Sequence, residues 1–278
     1  MKNKYDEAEQ EISKKIVYME KNTIANFPDF EKAKYFGAAQ KVYDSADIRE
    51  YINRIEIKGN LDCSGECDVN VENGQVTIRI ASKHLGIIAH SGYVHEYTEE
   101  QCKEFTDILA HELFHAKDDV EIIQKFGIVE YKSIREIKNE VPSMPREILS
   151  EYSACRQTAE QYDSYDSKEE SSSAKNYYER IKKEVIQNKE EVSMKVQSYM
   201  YYMNYAIATR CAFADVSGDE LKHLGILSSV VDDYDNFTKY ICALRLLFNE
   251  YYDLQPLDKA KYQELGDKMM CKLLSSYD

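Results

Sequence analysis

The sequence predicts an α+β protein that is predominantly helical, with a small N-terminal mixed sheet. Period-two alternation of polar and apolar residues is confined to "RIEIKGN" (54–60) and "CDVNVENGQVTIRI" (67–80). From residue 98 onward, the apolar residues recur almost throughout at helical spacing. The 278 residues, of which 43% are hydrophobic and 31% charged, are enough to build a globular core.

The first half of the chain contains all the predicted strands. Residues 5–21 and about 29–53 have helical spacing and few breakers, so we expect two helices there. Asn73-Gly74 lies between two alternating runs, which predicts a β-hairpin. Residues 84–93 are a candidate for a further strand. We therefore expect a sheet of three or four strands over about 54–93, packed on the helix that follows.

That following helix is bounded by recognisable signals. Thr98 and Gln101 fit a capping box, which predicts a helix start at this point. The helix should pass through His115 over about 99–118, and Gly127 is a later stop signal.

A second helix of interest is predicted over about 144–162. Pro145 suits its first turn, with Ser143 as a candidate cap. The serine-rich stretch at 164–175 then favours a boundary between a core of residues 1–163 and a helical C-terminal part of residues 174–278. Four helices are expected in that part, at about 174–213, 218–230, 233–252 and 257–275.

Charge and hydropathy exclude several classes of function. The net charge of −14 disfavours binding to nucleic acid or to anionic lipid. No run of 18 apolar residues predicts a membrane span, and the charged N-terminal stretch lacks the apolar core of a signal peptide. Seven scattered cysteines are typical of reduced thiols, so we expect a cytoplasmic protein. Cys63 and Cys67 are interpreted either as loop thiols or as half of a second metal site.

One short motif carries specific chemistry, "HELFH" at residues 111–115. Residues four apart on a helix share a face, so His111 and His115 can direct two imidazoles at one ion. Glu112 lies one position round the helix, close enough to reach a water on that ion. This arrangement predicts a Zn²⁺ site with a general base beside it. The alternative is an ordinary amphipathic helix that carries two histidines.

The motif and its helix resemble those of the zincin metallopeptidases. The resemblance implies a zincin-like fold, a third protein ligand and an open position for water. No histidine follows His115 at the spacing of the histidine-only branch, so the resemblance implies a glutamate ligand, as in the gluzincins. Glu151 is preferred, because "EYSA" is similar to the Glu-x-x-Ala of ImmA/IrrE-like peptidases of bacteria and mobile elements. Glu147 is the fallback, with Glu151 as its support.

Several residues are candidates for supporting roles around that centre. Asp119 and Asp118 either accept a ring N–H from a ligand histidine or belong to a solvated helix end. Zincins also need a donor for the oxyanion, and here Tyr152, Arg156 and the tyrosines within 200–206 are eligible.

The expected function is zinc-dependent hydrolysis of peptide bonds in a peptide or protein substrate, in a regulatory role with a narrow substrate range. The alternative is a zinc-binding interaction module with a zincin fold that has lost turnover. The presence of Glu112 favours the enzyme, because zinc binding alone does not require that residue.

Overall fold

The computed structural model describes most of the strands and helices of the chain. The described residues are 15–20, 23–25, 48–58, 61–81, 99–161, 173–187, 194–225, 227 and 236–277. They form a mostly helical α+β structure with one small mixed sheet, which confirms the predicted class.

The sheet contains five strands among the described residues. They are β1 (Ile16–Glu20), β2 (Thr23–Ala25), β3 (Ile52–Lys58), β4 (Gly65–Val69) and β5 (Val76–Ala81). The order is β2-β1-β3-β5-β4, with the three middle strands parallel and the two outer strands antiparallel to their neighbours. In the register, Ile55 lies opposite Ile16 on one side and Ile78 on the other. The strand β4 therefore lies at one edge of the sheet.

The predicted hairpin is present as β4 and β5. Its connection is longer than the two residues that Asn73-Gly74 suggested, because pairing stops at Val69 and resumes at Val76. The amide of Gly74, at φ 72°, donates to the carbonyl of Asn70, and the side chain of Asn73 accepts from the amide of Gln75. Glycine suits this positive φ because it has no Cβ.

The helix predicted over residues 5–21 is wrong at its C-terminal end, where β1 lies. The run "IVYM" fits a strand as well as a helix turn, and parallel pairing with β3 supplies what local spacing does not show. The second predicted helix is also wrong at its end, since residues 52–58 belong to β3. The rest of both predicted helices, and the strand suggested at 84–93, lie outside the described residues.

Helix α1 (Glu99–Phe126) carries the histidine motif. It begins where the capping box predicted and ends directly before Gly127, whose φ is 85°. It is longer than the expected 99–118, because no breaker interrupts it before that glycine. Its apolar side is buried, and the buried residues include Ile108, Leu109, Ala110, Leu113, Phe114 and Ala116.

The remaining helices match the prediction in part. They are α2 (Ile128–Glu136), α3 (Pro145–Gln161), α4 (Ala174–Gln187), α5 (Met194–Ser217), α6 (Glu220–Leu224), α7 (Asn236–Tyr252) and α8 (Lys259–Ser275), with a 3₁₀ turn at Ile137–Asn139. The single helix expected over about 174–213 corresponds to two helices, α4 and α5, and α2 was not predicted. Pro145 opens α3 as predicted. The hydroxyl of Ser143 donates instead to the carbonyl of Gly266, so it serves packing against α8 rather than helix capping.

The chain divides into two compact units. One comprises Met1–Ile123 and Tyr162–Tyr165, and the other comprises Gln124–Gln161 and Asp166–Asp278. This division differs from the predicted one at 164–175, because α3 packs most extensively on α5 and therefore belongs with the C-terminal helices. In that second unit the core includes Tyr178, whose ring contacts those of the buried residues Phe237 and Tyr240.

None of the helices that the structure describes combines the length and the apolar character needed to cross a membrane.

Candidate metal centre

The two motif histidines lie together on α1. Their Nε2 atoms are 3.0 Å apart, the ring centroids are 4.6 Å apart, and the ring planes are perpendicular. Both side chains are half-buried. The i, i+4 spacing on a continuous helix is what brings them together, as the sequence predicted. The two ring nitrogens are thus close enough together to bind one ion.

Glu112 is held beside the pair by the sheet. Its side chain is only 6% exposed. Gly65, the first residue of β4, lies against it so closely that a Cβ built on the glycine would stand 2.6 Å from Oε1 of Glu112 and 2.8 Å from its Cγ. Only a residue without a side chain leaves the carboxylate in this position, because real Cβ atoms do not approach other atoms so closely.

Glu151 lies on α3 with hydrogen-bond donors around it. The carboxylate is 5% exposed. Its Oε1 accepts from Cys155 Sγ at 3.2 Å and from the hydroxyl of Thr209 at 3.4 Å. The Glu151 carboxylate, together with burial, holds the pKa of the Tyr205 hydroxyl well above its usual range. Tyr205 therefore keeps its proton and remains a hydrogen-bond donor toward this side of the site.

Side chains that can bind a metal lie in pairs on two helices. On α1, Nε2 of His115 is 3.0 Å from that of His111, and on α3, Sγ of Cys155 is 3.2 Å from Oε1 of Glu151. Nitrogen, oxygen and sulfur donors in this combination suit zinc, whose protein ligands are histidine, carboxylate and cysteine.

Glu147 occupies a different environment. Its carboxylate is half-buried and lies 3.9 Å from the guanidinium of Arg146. Glu151, in contrast, lies beside a second side chain that can bind a metal, that of Cys155.

The two candidate supporting acids are buried. Asp118 and Asp119 lie in the C-terminal half of α1, and both are nearly inaccessible to solvent. Their burial is at odds with the interpretation as a solvated helix end. A buried carboxylate needs partners, and support of a histidine is one role open to them.

Tyr152 and Arg156 belong to a buried polar network within the second unit. The hydroxyl of Tyr152 donates to Asp215, and Arg156 Nη1 donates to Tyr152 at 3.0 Å and to Asn249 Oδ1 at 2.8 Å. Asn249 and Arg245 donate in turn to Asp215. Burial, followed by the hydrogen bond to Asp215, raises the pKa of Tyr152. Both oxyanion candidates thus make their hydrogen bonds inside this network.

Cys63 and Cys67 flank Gly65 at the start of β4. Cys63 is exposed and Cys67 is half-buried. Across the residues that the structure describes, no metal-binding group includes either thiol. Their position matches the interpretation as loop and edge-strand thiols.

Sequence reasoning missed two contributors to this region. Cys155 belongs to no recognised motif, although its position four residues after Glu151 places it on the same helix face. Gly65 gave no signal, because its contact with Glu112 depends on how the sheet packs on α1.

Neither protein-family models, nor curated proteins, nor solved structures match this chain.

Proposed function

We propose that this protein is a zinc-dependent metallopeptidase of the gluzincin type, with His111, His115 and Glu151 as zinc ligands and Glu112 as the general base. The observation that carries the proposal is the pair of half-buried imidazole nitrogens 3.0 Å apart, with a buried glutamate at the next position of the same helix. Packing of an ordinary amphipathic helix does not require two ring nitrogens to approach each other this closely.

The spacing of the donor atoms fits zinc. Two nitrogens each about 2.0–2.1 Å from a tetrahedral zinc lie about 3.3 Å apart. The 3.0 Å between the Nε2 atoms is within a few tenths of an ångström of that value. Glu151 then supplies the anionic ligand that the two neutral histidines lack.

When bound, zinc would lower the pKa of a coordinated water and polarise the carbonyl of the substrate. Glu112 accepts the proton of the attacking water and then delivers it to the leaving amine. The close contact with Gly65 keeps this carboxylate in one position. A general base that is already positioned loses less entropy on reaching the reactive geometry. Tyr205, whose hydroxyl keeps its proton beside Glu151, is one of the tyrosines within residues 200–206 that are candidates for the oxyanion donor.

The position of β4 at the edge of the sheet favours the binding of an extended peptide substrate. Strand β4 pairs with β5 on one side only among the described strands, and its first residue contacts Glu112. A peptide that adds to this edge by backbone hydrogen bonds would pass beside the general base. Such binding suits a peptidase that recognises an extended segment of a partner protein, in keeping with a regulatory role.

One experiment tests the proposal on the full chain. We expect one zinc per chain after purification under reducing conditions, and cleavage of casein that is lost on chelation and restored by added zinc. Cleavage is measured on the wild type and on Cys155→Ser, because the thiol of Cys155 contacts the proposed ligand Glu151. Absence of bound zinc, or cleavage that chelation leaves unchanged, would show that the proposal is wrong.

The second candidate function is a zinc-binding module without turnover. It is favoured by Cys155, whose Sγ lies 3.2 Å from Oε1 of Glu151, because a thiol added to the three proposed ligands would close the zinc site, and closed sites are structural. The module predicts bound zinc with no casein cleavage in the wild type and none in Cys155→Ser.

A prediction at Gly65 tests the role of β4. Gly65→Ala places a methyl group where Glu112 now lies, so the carboxylate must move while the metal ligands stay in place. We expect kcat for casein cleavage to fall about tenfold to a hundredfold with zinc content unchanged, because displacement of about 1 Å is costly in catalysis. The control is Cys67→Ala, two residues along the same face of the strand. Equal kcat in Gly65→Ala and wild type would contradict the assigned contact.

A further inference from the structure

We propose that the edge strand β4 selects basic substrates, namely extended peptide segments with lysine or arginine at two positions separated by one residue. Glu66 and Asp68 are the β4 side chains that make this selection. The inference names the substrate class of the proposed peptidase, so it rests on the proposed function. The strand and the motif helix α1 up to Ile123 belong to the same compact unit.

The stretch of chain around β4 is uniformly acidic. Between Lys58 and Arg79 the sequence contains carboxylates but no lysine, arginine or histidine. The carboxylates belong to Asp62, Glu66, Asp68 and Glu72. The side chains of the two on β4, Glu66 and Asp68, are 41% and 50% exposed, so a bound peptide can reach them. Charge complementarity therefore favours a basic peptide at this edge over a neutral or an acidic one.

The alternation of side chains along β4 determines which peptide residues meet the two acids. Gly65 lies against Glu112 of α1, so Glu66 and Asp68 point to the opposite, outer face of the sheet. The two peptide residues paired with these acids share that outer face and are separated by one residue. The peptide residue opposite Gly65 lies beside the general base. The basic pair is therefore expected on one side of the scissile bond.

Arg79 of β5 balances the two acids only in part. Its guanidinium donates to Glu66 at 2.8 Å and to Asp68 at 3.4 Å, and its Nε also donates to the buried Glu56 at 3.0 Å. Three carboxylates thus share one guanidinium. Two cations of β3 pair with Glu56 instead, and they are Arg54 and Lys58. The acids of β4 therefore carry more negative charge than their share of Arg79 balances.

The expected preference is moderate and depends on position. An opposite-charge pair across two strands changes affinity by about 1.5-fold to fivefold, so two such pairs should give about twofold to twenty-five-fold. Two adjacent basic residues should gain less, because neighbouring side chains point to opposite faces and only one of them meets an acid. Added salt should weaken the preference, since the charges are exposed.

Short fluorescent peptides test the inference by binding, independently of turnover. The peptides share one length and one sequence, and they carry two lysines at alternate positions, two lysines at adjacent positions, or two glutamates at alternate positions. Fluorescence anisotropy measures their affinity for full-length Glu112→Gln, and cleavage is measured on the wild type. We expect the alternate-lysine peptide to bind at least about twofold more tightly than the adjacent-lysine peptide. The glutamate peptide should bind most weakly.

Substitutions on β4 assign the preference to its two acids. Glu66→Gln and Asp68→Asn, made together in the Glu112→Gln chain, should remove the preference for alternate lysines, because amides of nearly the same shape carry no charge. Each single substitution should reduce it. The matched control is Glu72→Gln, which removes the same charge from an exposed position in the hairpin connection outside β4. This control should keep the preference.

The outcomes separate this inference from the peptidase proposal. Equal affinity for the two lysine peptides, or a preference that survives the double substitution, would overturn the inference, because general attraction to an acidic chain would then explain the binding. Cleavage without charge preference would overturn it and leave the peptidase standing. Binding of alternate lysines through Glu66 and Asp68, without cleavage of peptides or casein, would support selection by β4 and count against the peptidase. Failure of every peptide to bind would overturn the inference.

Discussion

Glu112→Gln should keep its zinc and its fold while cleaving casein at least about a hundredfold more slowly than its parent, because positioned proton transfer contributes about 10²–10⁴-fold to such reactions. The amide has nearly the shape of the carboxylate, so it fits beside Gly65, but it cannot accept the proton of the attacking water. The comparison is made in wild type and in Cys155→Ser, so that a closed zinc site does not hide the effect.

The matched control for this variant is Glu121→Gln. Glu121 lies on the same helix and pairs at 3.9 Å with Lys117 across one turn, away from the motif. Loss of that exposed pair should leave cleavage unchanged, since such pairs contribute little. If Glu112→Gln cleaves casein as fast as its parent, Glu112 is not the general base and the peptidase mechanism fails.

His111→Ala and His115→Ala should each weaken zinc binding severely. Loss of an outer-shell partner alone costs about 10–100-fold in metal affinity, and loss of a ligand should cost more. Competition with a chromophoric chelator measures the affinity, and circular dichroism confirms that the helices persist. His223→Gln is the control, because it replaces a buried histidine that lies against Phe213.

The two histidine variants need not agree, and the difference would be informative. The Nε2 atoms of His111 and His115 are 3.0 Å apart, but one of the two imidazoles can bind zinc without the other. If only one variant loses zinc, the other histidine is not a ligand and the gluzincin assignment is wrong. If neither variant loses zinc, the motif does not bind the metal at all.

The helices that carry the site were predictable because their boundaries are encoded locally. A capping box precedes α1, Gly127 follows it, and Pro145 opens α3, so each signal lies within a few residues of the boundary it sets. The strand β1 was not predictable in this way. Its residues fit a helix equally well, and the choice is made by parallel pairing with β3, a partner distant in sequence.

The same distinction explains which parts of the metal centre the sequence predicted. The approach of His111 to His115 is a property of one helix, so spacing alone predicts it. The contact of Gly65 with Glu112 arises only when a strand packs on that helix. The hydrogen bond from Thr209 to Glu151 likewise joins residues far apart in the chain, and no local pattern encodes it.

The hydrogen-bond network around Tyr152 also affects the orientation of Glu151, the preceding residue on α3, although the two side chains lie in different environments. Adjacent residues project about 100° apart around a helix axis. Asp215 accepts a hydrogen bond from Tyr152, and Asn249 accepts one from Arg156, so two successive turns of α3 are hydrogen-bonded on that side. These two hydrogen bonds oppose rotation of α3 about its own axis. The direction of the Glu151 side chain therefore depends in part on polar contacts with α5 and α7, made by residues that are not themselves proposed as ligands.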